Sequence, residues 1–143
     1  MLDELRRDKA HEVVYVKVER PEAAERGCRV SDLPLNPSVA ERLEGMGIRE
    51  VYRFQEEAVR ALVKGENAVI CAPTGMGKTE AFLLPILNEA VSEPFQGPIA
   101  LLVYPTKALA RDQLKRIEAL TSTFYGVRAA AYDGDTPREE RRR

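Results

Sequence analysis

The sequence predicts an α/β fold, a parallel β-sheet flanked by helices and built around a phosphate-binding loop. Three observations predict it. Apolar runs at 68–72, 99–104 and 127–132 read as buried strands. Each run exits into a polar loop marked by glycine or proline, at 72–79, 105–107 and 133–137. Helical patterns fill the intervals, and strands alternating with helices make a parallel sheet. In such sheets ligands bind at the carboxyl ends of the strands, so the three loops are expected to gather on one edge.

In chain order, residues 1–12 are a charged lead-in, and His11, the single histidine, reads as a surface residue. Val13 to Val18 is β-rich and reads as a strand. Residues 19–34 mix charge with Pro21, Gly27 and Pro34 and read as a connection. Asn36 can cap a helix that opens on Pro37 and stops near Gly45 and Gly47. A second helix follows Val51–Gln55 and runs to Lys64, with Phe54, Ala58, Ala61 and Leu62 on one face. The helix from Thr79 to about Ser92 is apolar all round, which marks a buried element, and Pro85 interrupts its hydrogen bonding. A loop is expected at 92–98. The helix from Lys107 to about Leu120 presents Leu109, Leu114, Ile117 and Leu120 to the core. Arg138 to Arg143 reads as the first turns of another helix, with Thr136 as its cap, so the sequence stops inside an element.

Composition excludes several classes. Hydrophobic residues are 44% and charged residues 31% of the 143, a globular balance and not a disordered one. No apolar run is long enough to span a membrane, and the N-terminus lacks the apolar core of a signal peptide, so a cytoplasmic protein with no membrane partner is expected. Cys28 and Cys71 sit far apart, outside any metal-ligand spacing, and Cys71 reads as a small buried hydrophobe. The net charge of −1 supplies no global field toward nucleic acid, so such binding must come from local groups.

The chemistry concentrates in Ala72-Pro73-Thr74-Gly75-Met76-Gly77-Lys78-Thr79. A strand, a glycine-bearing loop and a helix opening on Lys-Thr form a phosphate cradle. Glycines let successive N–H groups point inward, and the helix N-terminus adds its positive dipole end. Lys78 is placed to reach the β- and γ-phosphates, and the Thr79 hydroxyl to ligate Mg²⁺, a cation that prefers oxygen. The pattern departs from GxxxxGK[ST] at Ala72.

These loops, together with Gln55, resemble the first RecA-like domain of a superfamily-2 helicase of the DEAD/DEAH-like kind, over residues 35–143, with 1–34 as an N-terminal extension. Residues 72–79 are similar to helicase motif I, where alanine in first place is usual and serine or alanine is common at Met76. Gly47 to Gln55 resembles the Q motif, which implies that Gln55 reads adenine, with Tyr52 or Arg53 packed beside the base. The upstream aromatic of many RNA helicases has no counterpart near 36–40. Pro105-Thr106-Lys107-Ala108-Leu109-Ala110 resembles motif Ia, which implies contacts from Pro105, Thr106 and Lys107 to a nucleic-acid backbone. Tyr132 to Pro137 is similar to a segment of RecQ-related DNA helicases carrying a C-terminal accessory domain, which implies that Gly134, Asp135 and Thr136 lie along a strand. The resemblance therefore favours DNA over RNA, and ATP with Mg²⁺ as the cofactors.

The same resemblance implies an incomplete motor. No DEAD/DEAH-like acidic motif appears in the 143 residues and no second RecA-like domain, the partner that would bring an arginine finger to the γ-phosphate. The expected activity is ATP-dependent helicase or translocase action in a longer protein, with little or no turnover by this chain alone. Three other readings remain open: a DEAD-box-like RNA helicase domain, a different P-loop ATPase in which Asp133 closes a Walker B strand, and a binding module without a motor partner.

Overall fold

The computed structural model describes residues 25–92 and 97–139. Strand β1 (Arg26–Arg29) leads through a 3₁₀ turn (Val30–Asp32) to helix α1 (Pro37–Gly45), strand β2 (Glu50–Tyr52), helix α2 (Arg53–Val63), helix α3 (Lys78–Ser92) and helix α4 (Lys107–Thr121).

Local chemistry sets the helix ends. The Asn36 side chain accepts the Ser38 N–H at 3.1 Å, and Pro37 occupies the first turn of α1. Helices α1 and α2 end alike. Gly47 and Ile48 donate their N–H groups to the carbonyls of Glu44 and Leu43, and Gly65 and Glu66 to those of Leu62 and Ala61. Both glycines take positive φ, 85° and 78°, which turns the chain back onto those last carbonyls.

Strands β1 and β2 pair antiparallel, with one extra residue on β1 between the pairs Arg26–Tyr52 and Arg29–Glu50. Residues 26–32 are therefore a strand and a turn, not the connection expected for 19–34. Four residues carry too little periodicity to show a strand, and it is the pairing with β2 that makes one. The Glu56 carboxylate ties β1 to α2: it accepts the Cys28 N–H at 2.9 Å and a bond from Arg60 Nε at 2.9 Å. The Arg60 bond, chiefly, holds the Glu56 carboxyl below the usual range. The strand expected at 13–18 and residues 140–143 of the last expected helix lie outside the described residues.

The core is the space enclosed by α1, α2 and α3, floored by β1 and β2. Val30, Leu33, Val39, Leu43, Val51, Val59, Leu83, Leu84 and Leu87 fill it, and Leu120 enters from the end of α4. Helix α3 carries Pro85 in its interior and still runs unbroken, buried through Ala81, Leu83, Leu84 and Leu87. Two side chains depart from expectation. Val59, unmarked in the sequence, is completely buried on α2, and Leu109, expected in the core, is exposed at the start of α4. No helix among the described residues is long and apolar enough to cross a membrane.

The three apolar runs differ from the expected sheet. Among the described residues the sheet is the β1–β2 pair, and 68–72, 99–104 and 127–132 form no ladder. They nevertheless alternate. Ile70 and Ala72, Leu102 and Tyr104, and Val127, Ala129 and Ala131 are half-buried, while their neighbours face out. Val69 is 91% exposed, Leu101 87% and Val103 84%. A period of two is the signature of a strand covered on one face. For the same reason Cys71 is exposed, not buried as expected. An open apolar groove of about 610 Å³ runs between the end of α2, α3 and segment 99–104.

Leu84 is 1% exposed at the centre of this core. Leu84→Ala should cost about 3 kcal/mol in urea unfolding, the transfer loss plus the cavity left behind. A loss below about 1 kcal/mol would mean that α3 does not organise the core.

Candidate functional site

The loop from Pro73 to Gly77 joins segment 68–72 to the N-terminus of α3. Gly75 and Gly77 hold positive φ, 83° and 78°. At Gly77 space is limiting as well: a Cβ would stand 2.6 Å from Gln55 Nε2 and 3.1 Å from Glu80 Oε2. Lys78 folds back over the loop, donating from Nζ to the Ala72 carbonyl and, at 2.9 Å, to the Pro73 carbonyl. The ammonium thus sets a positive charge over the loop. Thr74 is exposed on the rim, while Met76 and Thr79 are half-buried.

Gln55 is not a solvent-facing helix start. It is 6% exposed. Its Oε1 accepts the Tyr52 N–H at 2.8 Å, and its Nε2 donates to the Gly77 carbonyl at 2.8 Å. A primary amide has two donor hydrogens and two acceptor positions. One of each is used here, and one of each remains. The Tyr52 ring stacks on Phe54 at 6.1 Å, and Arg53 pairs with Glu25 and Glu57.

The second group lies at the start of α4. Thr106 caps the helix, its Oγ1 accepting the Leu109 N–H at 3.2 Å. Lys107 Nζ meets Asp135 Oδ1 at 2.9 Å. Arg111 bridges Asp133 at 3.2 Å and Asp135 at 3.1 Å. Within the loop, Asp133 Oδ1 accepts the Asp135 N–H and Thr136 Oγ1 accepts the Asp133 N–H, both at 2.8 Å. The expected residues Thr106, Lys107, Gly134, Asp135 and Thr136 are therefore brought together, with Pro105 exposed at the edge. The bond from the Asp135 N–H, helped by Arg111 and Lys107, holds the Asp133 carboxyl below its ordinary range.

Sequence reasoning missed three members. Arg111 repeats Lys107 at the i+4 spacing that puts both on one helix face, a legible signal. Glu80 and Arg116 form an ion pair from α3 to α4, and nothing in the sequence marked it. Among the described residues no group of three or more His, Cys, Asp or Glu side chains is placed to hold a metal ion.

The DEAD/DEAH box helicase family profile matches residues 52–143. The uncharacterized ATP-dependent helicase YprA of Bacillus subtilis is 35% identical over 108 residues, covering 72% of this chain and 14% of its own length. The DEAD-box ATP-dependent RNA helicase 9 of Oryza sativa is 31% identical over 119 residues, covering 80% of this chain and 18% of its own length. Among solved structures, the DUF1998 helicase MrfA bound to DNA and AMPPNP superposes with a TM-score of 0.74 at 29% identity, over 98% of this chain and 19% of that one. The chain thus spans less than a fifth of each of these relatives.

A carboxyl whose pKa falls on folding adds stability above its unfolded pKa and loses it as pH drops through the folded value. The 133–136 turn should therefore show its highest amide protection factors, observed exchange being referred to the intrinsic rate at each pH, near neutral pH. It should lose protection as pH falls into and below the carboxylate range, and Asp133→Asn should remove that dependence. Protection of the Asp135 amide that does not change with acid would sink the assignment.

Proposed function

Because this chain belongs to the DEAD/DEAH box helicase family, we propose that residues 35–143 are the front part of a RecA-like ATP-binding domain. The parent is an ATP-dependent DNA helicase or translocase, and 1–34 extend this domain at its N-terminus. The observation that carries the reading is the link from Gln55 to the Gly77 carbonyl, with Lys78 closed over the same loop. It supports an adenine-reading amide beside a phosphate cradle by joining Gln55 to the loop.

In this reading Thr74 to Gly77 offer backbone N–H groups to the phosphates, Lys78 leaves the loop carbonyls for the β- and γ-phosphates, and Gln55 meets the base with its remaining donor and acceptor. Thr79 would hold Mg²⁺ together with the phosphates themselves, since the ion takes few protein ligands and keeps its waters. The one-face burial of 68–72, 99–104 and 127–132 supports three parallel strands of the RecA-like sheet. The nucleic-acid backbone runs over Pro105, Thr106, Lys107, Gly134, Asp135 and Thr136, where phosphate competes with the Asp135 carboxylate for Lys107 and Arg111. A second RecA-like domain of the same protein supplies the arginine finger, so this chain alone binds Mg·ATP without turning it over. A cytoplasmic location completes the reading.

DNA is favoured by the MrfA complex and by the 132–137 segment. The rice relative keeps an RNA helicase as the second reading. A Walker B role for Asp133 fits less well, because its carboxylate is engaged by Arg111 and by its own turn.

Calorimetry should show adenine-selective binding of Mg·ATP. Lys78→Ala should weaken it roughly ten- to hundredfold, the usual worth of a charge-assisted bond. Gln55→Ala should narrow the gap between ATP and GTP. Equal ATP and GTP affinity in the wild type would remove Gln55 from the base.

Lys107→Ala should weaken single-stranded DNA binding and lower its log–log salt slope by roughly 0.7, one phosphate's share. An unchanged slope would make Lys107 a surface charge only, and tighter binding of RNA than of DNA would favour the second reading.

A further inference from the structure

We infer that the Glu80–Arg116 ion pair is a positioning element through which the seating of α4 on nucleic acid sets the grip of the phosphate loop on nucleotide. The inference rests on the proposed function and adds the route between its two ligands. Glu80 is the third residue of α3, in the first turn of the helix whose N-terminus forms the cradle. Its side chain is 13% exposed. Oε1 takes the Arg116 guanidinium, while Oε2 is buried without a hydrogen-bond partner and lies beside Gly77. A carboxylate at that point opposes every incoming phosphate oxygen unless a cation neutralises it. Arg116 is that cation, and it belongs to α4.

Helix α4 is a stiff rod with two working faces. Lys107 and Arg111 hold the 133–135 loop. Arg116 lies nine residues beyond Lys107, which at about 100° per residue is the opposite side of the helix, roughly 13 Å along its axis. The C-terminal end of the rod is anchored, by Leu120 in the core and by Arg42, which donates to the Ala119 carbonyl at 2.7 Å. Its N-terminal end is held by the exposed pairs of Lys107 and Arg111 with Asp135, which exchange readily for a phosphate backbone, and by Arg111 on the more enclosed Asp133. A roll of α4 that seats Lys107 and Arg111 on phosphates carries Arg116 the other way across Glu80. The negative charge beside Gly77 is thereby strengthened or screened according to what α4 binds.

The test is Mg·ATP affinity of this chain, with and without an oligo(dT) strand, for wild type, R116M and E80Q/R116M. R116M should weaken Mg·ATP roughly five- to tenfold, the scale of common inter-site coupling. E80Q/R116M should regain wild-type affinity, because the uncompensated carboxylate is gone, and oligo(dT) should no longer alter it. A merely structural pair would give a double variant as weak as R116M, and that result overturns the inference. So does a wild type whose Mg·ATP affinity ignores oligo(dT), or a double variant that keeps the DNA effect. A wild type that binds no Mg·ATP removes the proposed function, and the route with it.

Discussion

The site depends on one buried amide. Gln55 occupies the first turn of α2, where helix N–H groups lack partners, and it answers the Tyr52 N–H with its oxygen. With its nitrogen it holds the Gly77 carbonyl, the last group of the loop before α3. Two helices and a loop thus meet in a single side chain that is almost fully enclosed. A buried polar group left without its partner costs about 1–3 kcal/mol, so neither contact is given up cheaply. Gly77 is held to glycine by the same geometry, since any side chain there would meet that amide nitrogen. The loop's shape is therefore set from outside it, by α2. Helix α2 in turn is fixed by Val59 in the core and by the Glu56 link to β1.

The other half of the site follows a different logic. Around the 133–136 turn, shape comes from short-range bonds between neighbours, Asp133 to the Asp135 N–H and Thr136 to the Asp133 N–H. The pairs of Lys107 and Arg111 with Asp135 lie at the surface, where such pairs contribute about 0–1 kcal/mol and weaken with salt, while the Asp133 end of the Arg111 bridge is largely enclosed. They fix which way the two cations point without committing them. One region is rigid because its polar groups are buried. The other is exchangeable because Lys107, Arg111 and Asp135 are exposed. In the proposed reading, that contrast suits a nucleotide held at the first region and a nucleic-acid backbone exchanged at the second.

Much of this was legible in the sequence. The cap at Asn36, the glycine stops and the apolar wall of α3 each rest on a local rule, and local rules survive folding. The failures are of another kind. Strand β1 is four residues long and exists through pairing with β2, which no window of sequence contains. Val59 sits where the face drawn through Phe54, Ala58 and Leu62 did not reach, because α2 is covered from two sides, by α3 and by β1. Leu109 was assigned inward by period alone, yet it falls in the first turn of α4, before the helix meets the core. Glu80 and Arg116 are 36 positions apart, and only the packing of two helices brings them together.

The three apolar segments, which form no ladder among the described residues, separate two requirements that a sheet normally meets at once. Alternation needs only a surface to lean on, and α2 and α3 supply one, which is why Leu102 and Tyr104 turn inward while Leu101 and Val103 do not. A ladder needs strands brought side by side, and a parallel ladder is stable when both faces are covered. Here the outward faces stay bare at Val69, Leu101 and Val103. Closing the ladder would join the strands but leave those faces in water, since backbone hydrogen bonds cover no side chain. The missing stabilisation is thus a second layer of apolar cover, the other half of an α/β sandwich. The phosphate loop escapes the problem because it leaves its segment on the helix-covered side, where Gln55 and α3 hold it without a finished sheet.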